Sequence, residues 1–354
     1  MKRVTLLLAL TLVFSGCKDD DAPLTINSQG TVKLENLDGL ASEGWGVGAL
    51  VVSNDGTTIY YAMVNYQTDE YSIRKIDEDS NVTTILHGDG QIDALDISND
   101  DSRILYSISN AETGTVISKM YEYPFQTQIN ALLLTVQGDG YFWDLQYLPD
   151  GNIVYTQGNG IVEVSLRRME RENRQVTVLM DKELNPLLRD VDEVNNRLLV
   201  EGWTSSRIMT LDFDGGNLID YGSQTRYIRP LGFSPDGSKI LASEVVSPND
   251  ANLAHYAAVS YDVNTGEKTL LTESMDNNLP LAFGENDQSL ILDVDTGNGE
   301  PGELFFYDVA TQVYTPITTN DMFERFHGFY GNSYDRVIFS ARNTTENALF
   351  IHNK

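Results

Sequence analysis

The sequence predicts an all-β chain, a seven-bladed β-propeller of four-stranded antiparallel blades whose ring is closed by an N-terminal strand. Three observations carry this expectation. One hairpin pattern recurs along the chain. Its copies are spaced as four short strands require. No 3.6-residue apolar periodicity persists past the first sixteen residues.

The hairpins come first. "LGFSPDGSKILAS" (231–243) has relatives in "VVSNDGTTIYYA" (51–62), "DISNDDSRILYS" (96–107) and "QYLPDGNIVYTQ" (146–157). Weaker copies are "DEVNNRLLVEG" (192–202), "GENDQSLILDV" (284–294) and "GNSYDRVIFSA" (331–341). Each joins two apolar stretches through Asn, Asp or Gly, residues that accept the positive φ of a tight turn. The turn positions Asp55, Asp100, Asp150, Asn195, Asp236, Asp287 and Asp335 recur every 41 to 51 residues. Third strands follow as "YSIRKID", "KMYEYPF", "IVEVSL", "RIMTLDF", "AAVSYDV", "LFFYDVA" and "ALFIHN", and fourth strands as "VTTIL", "ALLLTV", "QVTVLM", "LIDYG", "KTLLT" and "VYTPIT". Turns such as Asp214-Gly215-Gly216 and Asn264-Thr265-Gly266 join several of these pairs.

The seventh unit stops after its third strand, at Lys354. The missing strand is expected at the other end of the chain, as "TVKLENL" (31–37), which would pair with "ALFIHN" and remove an exposed edge. The propeller then spans 31–354. Residues 17–30, polar and acidic, read as a tether.

"FSPDGSKILAS" followed by "SYDVNTGEKTLLT" resembles the TolB-like, WD40-like β-propeller repeat, with its Ser-Pro-Asp-Gly hairpin and its Asp-x-x-Thr-Gly turn before Leu-Thr. The resemblance covers roughly 40–354 and is best in the fifth blade. The fourth and seventh blades lack the Pro-Asp-Gly. It implies a fold and no activity, because propellers host binding, scaffolding and several chemistries.

The N-terminus carries a different signal. Lys2 and Arg3 precede an apolar run from Val4 to Phe14, and Ser15 and Gly16 lead into Cys17, the sole cysteine. The run is about half of the ~20 residues a spanning helix needs. Small residues before a lone Cys resemble the lipobox of bacterial lipoproteins, with Phe14 where Leu is usual. The resemblance implies cleavage after residue 16 and acylation of Cys17. Lys18-Asp19-Asp20-Asp21 is similar to the export signal of Bacteroidota surface lipoproteins. The expected location is therefore the outer membrane, lipid-anchored and surface-exposed, with the periplasmic face as the alternative.

Composition narrows the functions. A formal charge of −28 over 354 residues repels nucleic acid and anionic lipid headgroups. With 41% hydrophobic residues the chain can be held by its core alone, and it reads as a monomer. His87, His255, His327 and His352 lie in different units without metal-ligand spacing, so no metal or other cofactor is expected. "DVDTGNG" (293–299) lacks the late Glu of a calcium loop, and "RRMERENR" (167–174) reads as a solvated turn. No Gly-x-Ser-x-Gly elbow is present.

Candidate ligand-binding residues stand near the starts of the innermost strands, where they would line the channel mouth: Trp45, Asp93, Trp143 with Asp144, Arg189 with Asp190, Arg229 and His327. Aromatic faces stack on sugar C–H groups while charged groups bond hydroxyls or acidic substituents. The mix suits a glycan, with a peptide or an envelope protein as other partners. The expectation is a binding or scaffold module of the cell envelope, serving nutrient capture. The alternative is a hydrolase or lyase acting on polysaccharide or peptide, using Asp144 or Asp190 with His327. The loop from Val245 to Ala254 is the second choice for the binding surface.

Overall fold

The computed structural model describes residues 31–37, 40, 45–112, 115–138, 140–159, 162–204, 206–223, 228–245, 256–272, 278–294, 302–318, 323–329, 334, 336–342 and 347–354. Cys17, the tether, Asp335 and most of both the 245–254 and 293–299 segments lie outside these residues.

Seven four-stranded antiparallel sheets follow one another along the chain, and they form a seven-bladed β-propeller. Blade 1 runs from Trp45 to Asp89, blade 2 from Gln91 to Gln137, blade 3 from Gly140 to Met180 and blade 4 from Pro186 to Ser223. Blade 5 runs from Ile228 to Leu270 and blade 6 from Asn278 to Pro316. Blade 7 takes three strands from Phe323–Asn353 and its fourth from Thr31–Asn36. First strands of neighbouring blades touch one another, which places them at the centre of the ring.

Burial follows from that order. The second strand of blade 1, Ile59–Asn65, is buried at every residue, whereas its fourth, Val82–Asp89, is mostly exposed. A strand covered on both faces uses both halves of the two-residue alternation. Tyr60, Ala62 and Val64 point toward blade 2, packing with Ile92 and Tyr106. Ile59, Tyr61 and Met63 point the other way, to Ile338 and Leu349 of blade 7. The same division recurs around the ring, so the described core is a series of clusters at the seams between blades. The unbroken apolar runs in the second strands have this origin.

The hairpin turns are made locally. Ser234 Oγ donates to Asp236 Oδ1 at 2.7 Å, and the same oxygen accepts the Ser238 N–H at 3.0 Å. Ser53 with Asp55 and Ser98 with Asp100 repeat the first bond, and Thr57 and Ser102 the second. These bonds hold Asp55, Asp100 and Asp236 below the usual carboxylate range. Gly56, Asp101, Gly151 and Gly237 take the left-handed conformation the turn needs. In blade 4 that role falls to Asn196, which follows the turn residue Asn195 as Gly56 follows Asp55.

Closure is by the expected strand. Thr31 pairs with His352 and Asn36 with Ala348, and the Leu37 N–H donates to the Asn347 carbonyl at 2.7 Å. Glu35 then ties the closing strand to blade 1, accepting from Tyr61 Oη and, at 2.6 Å, from Arg74 Nη1. A similar knot joins blades 2 and 3. Buried Glu122 accepts from Tyr147 Oη at 2.8 Å and from Arg171 at 2.6 and 2.8 Å. The 167–174 turn is present, but Arg171 is partly buried against Glu122, which Arg103 also approaches at 3.9 Å.

Candidate functional site

The innermost strands are not regular. In each blade the pairing of the first strand with the second skips a position: Gly48 and Ala49, Asp93, Trp143 and Asp144, Arg189, Leu231, Leu281, and His327. A bulge leaves its residue outside the ladder and re-aims the side chain. Asp93, Trp143, Asp144, Arg189 and His327 all occupy such positions.

Three successive blades turn this irregularity into one cleft. Trp143 and Asp144 of blade 3, Arg189 and Leu187 of blade 4 and Arg229 of blade 5 line a cavity of about 210 Å³, completed by Val164 and Trp203. Val164 lies near the start of the third strand of blade 3, Val162–Met169, and Trp203 follows the second strand of blade 4, which ends at Gly202. Antiparallel order brings these ends to the face where the innermost strands start, opposite the Asp-Gly hairpins. Trp143 and Trp203 are 37% and 36% exposed, so each leaves part of its ring open to solvent. Tyr141 supports Trp143 edge-on, with centroids 6.1 Å apart.

The charges are unequal in role. Glu201, with no exposed surface, accepts from Arg189 Nε at 2.7 Å and pairs with Nη2 at 2.5 Å through the same oxygen. Its Oε1 is buried without a partner among the described residues. Arg189 is thereby clamped. Arg229 is exposed and makes no ion pair with a described residue. Burial pushes Asp144 up to about 6, against the pull of the Arg189 and Arg229 cations and with a push from Glu201. Aromatic surface, a fixed guanidinium, an available guanidinium and a carboxyl near its titration point meet in one place.

Other candidates stand elsewhere. Asp190 is reassigned: its Oδ2 accepts the Phe233 N–H of blade 5 at 2.7 Å, and its Oδ1 the Val191 N–H at 2.9 Å. Gly232 leaves room for it, since a Cβ there would meet Oδ2 at 3.1 Å. Asp96 does the same between blades 2 and 3, accepting the Tyr147 N–H at 2.6 Å. Both are bolts between blades. Asp93 accepts from Ser109 Oγ at 3.0 Å, and burial pushes it up to about 7, but it does not reach the cleft. His327 Nε2 lies 2.8 Å from Ser340 Oγ in blade 7. Trp45 packs against the seam between blades 7 and 1. Trp203 and Glu201 are not among the sequence candidates, because Glu201 lies in a second strand and Trp203 just after it. Among the described residues no three His, Cys, Asp or Glu side chains are grouped to hold a metal ion.

No family profile matches the sequence, and no curated protein matches it. Solved structures do resemble the fold. An oligogalacturonate lyase in complex with manganese superposes with a TM-score of 0.68 at 13% identity, over 91% of this chain and 92% of that one. The oligogalacturonate lyase of Vibrio parahaemolyticus gives 0.68 at 12% identity, over 92% and 94%. The β-propeller domain of the Trilobed protease from Pyrococcus furiosus gives 0.61 at 13% identity, over 87% and 96%. The chain is a β-propeller. At these identities the likeness is one of fold, and the chemistry of this propeller has to be argued from its own cleft.

Proposed function

We propose that this propeller is a lipid-anchored protein of the cell envelope that binds a polar ligand in the cleft between blades 3, 4 and 5. The observation that carries the binding reading is the convergence of Trp143, Trp203, Arg189 and Arg229 on one cavity. Apolar volume alone would satisfy a propeller core. Two open tryptophans and an unneutralised arginine in a chain of charge −28 ask for a ligand. The anchor rests on the Ser15-Gly16-Cys17 sequence, and surface display on the Lys18 to Asp21 run.

A glycan array followed by titration calorimetry tests this. A bound glycan should lose affinity by ~1–3 kcal/mol in Trp143→Ala, as for a stacking contact, with the β-sheet circular dichroism unchanged. Binding indifferent to Trp143→Ala would place the ligand outside the cleft.

A lyase reading is supported by the same residues. A carboxyl near pKa 6 can exchange a proton close to neutral pH, and arginines can neutralise the carboxylate next to which an elimination occurs. The fold neighbours that bear a lyase name act on oligogalacturonate. Ultraviolet absorbance from a new conjugated double bond, on incubation with that polymer, would support this reading, and its absence at high enzyme concentration would remove it.

A further inference from the structure

The charges of the cleft define the class of ligand more narrowly. Glu201 is sealed from solvent and fixes Arg189, so one positive charge is neutralised from within the protein. Arg229 has no such partner among the described residues, and Asp144, which shares the cleft with it, makes no hydrogen bond or ion pair with a described group. The described ion pairs elsewhere engage Arg74, Arg103, Arg168, Arg171 and Arg207 with carboxylates. Arg197 also lines a cavity without an ion pair to a described residue, and what sets Arg229 apart is the pair of exposed tryptophans that share its cavity.

Size sets a second limit. About 210 Å³ falls below the roughly 300–1,000 Å³ of pockets that engulf a drug-sized molecule. The cavity therefore suits a single ring-sized group, free or at the end of a longer chain.

We propose, resting on the binding reading above, that the cleft selects a carboxylated sugar ring over a neutral one: Trp143 and Trp203 offer the stacking surface, Arg229 pairs with the ring carboxylate, and Arg189, held by Glu201, donates to its hydroxyls. A carboxylate seated on Arg229 puts a second anion near Asp144. The charged groups that act on Asp144 are Arg189 and Arg229 from the innermost strands of blades 4 and 5, and Glu201 from the second strand of blade 4. An added anion raises the proton affinity of Asp144 further. Binding is then accompanied by proton uptake at Asp144, and affinity rises as the pH falls from 7.5 toward 5.

Three probes separate the possibilities: trigalacturonate, its methyl triester and neutral galactotriose, titrated calorimetrically against the full chain. Trigalacturonate should bind at least tenfold more tightly than the other two. Arg229→Ala should weaken trigalacturonate about 10- to 100-fold, as for a charged hydrogen bond, and leave the ester unchanged. Arg229→Lys should restore part of the loss. Titrations in buffers of different ionisation enthalpy should show proton uptake that Asp144→Asn abolishes. Acid and ester binding alike, both lost in Trp143→Ala, would overturn the ligand class and leave the site standing. Binding that survives Trp143→Ala would overturn the site itself. No binding of any probe at millimolar concentration would overturn both.

Discussion

Replacing Asp96 by Asn should stabilise the propeller at alkaline pH and do nothing at acid pH. Asp96 accepts the Tyr147 N–H at 2.6 Å across the seam between blades 2 and 3. Burial pushes its carboxyl from 3.8 up to about 7, against the pull of the backbone bonds to Tyr147 and Ile97. A displacement of about three pKa units corresponds to ~4 kcal/mol at 1.36 kcal/mol per unit. Asp96 is half-buried and not sealed, so about half of that, ~2 kcal/mol, is the working figure. Because the folded pKa is raised, the folded state takes up the proton more readily than the unfolded chain. The resulting stability is complete below the unfolded pKa and is lost as pH rises through about 7. Asn keeps the carbonyl acceptor for Tyr147 and never ionises. At pH 8 the variant should gain ~1–2 kcal/mol, or roughly 1–3 °C in Tm for a chain of this size. At pH 5, between the unfolded and folded values, the gain should be smaller, and it vanishes only below 3.8. Asp96→Ala, which removes the acceptor and strands the Tyr147 N–H, should lose ~1–3 kcal/mol at pH 5 and less at pH 8, where it also removes the buried charge. Calorimetric melts at pH 5 and pH 8 read all three. An Asn variant that is less stable at pH 8, or whose gain is the same at both, refutes the account.

Two further outcomes follow from the N-terminal region. Removing residues 31–37 should lower Tm far more than removing 18–30, because Leu37, fully buried, would be lost at a cost of ~2–5 kcal/mol on its own, along with the Glu35 bonds to Tyr61 and Arg74. Equal melting temperatures would contradict closure by this strand. Cys17→Ala should leave the melt unchanged and move the protein from the membrane fraction to the soluble one, since acyl chains supply ~0.8 kcal/mol per buried CH₂. Variant protein that still sediments after a salt wash would contradict acylation.

The fold was legible because its determinants are local. Ser234, Asp236 and Ser238 bond within five residues, so the turn they make can be read from their order. The alternation that splits Tyr60 from Tyr61 between two seams is likewise contained in one strand. The site was legible only in part, because its determinants are matters of register. Asp96 and Asp190 bolt blades together while Asp93 and Asp144 sit in bulges, and no neighbour in sequence separates the two kinds. What separates them is where the partner strand skips a residue. Trp203 is hidden for another reason: it follows a second strand, and antiparallel order puts the ends of second strands on the face where the first strands start.

The closing strand also sets a timetable. Thr31 and His352, whose side chains meet at 2.8 Å, are 321 residues apart in the chain. However the chain is delivered to the compartment where it folds, if its N-terminal end enters first, the first strand arrives 321 residues ahead of its partner. Blades 1 to 6 hold all four of their own strands and can form in that interval, while Thr31–Asn36 waits with its backbone unpaired. The last event in assembly is therefore the docking of the oldest segment onto the newest. A chain shortened at its C-terminal end would be left with that first strand unmatched, and a quality-control protease needs no more than such a loose end to tell an unfinished ring from a finished one.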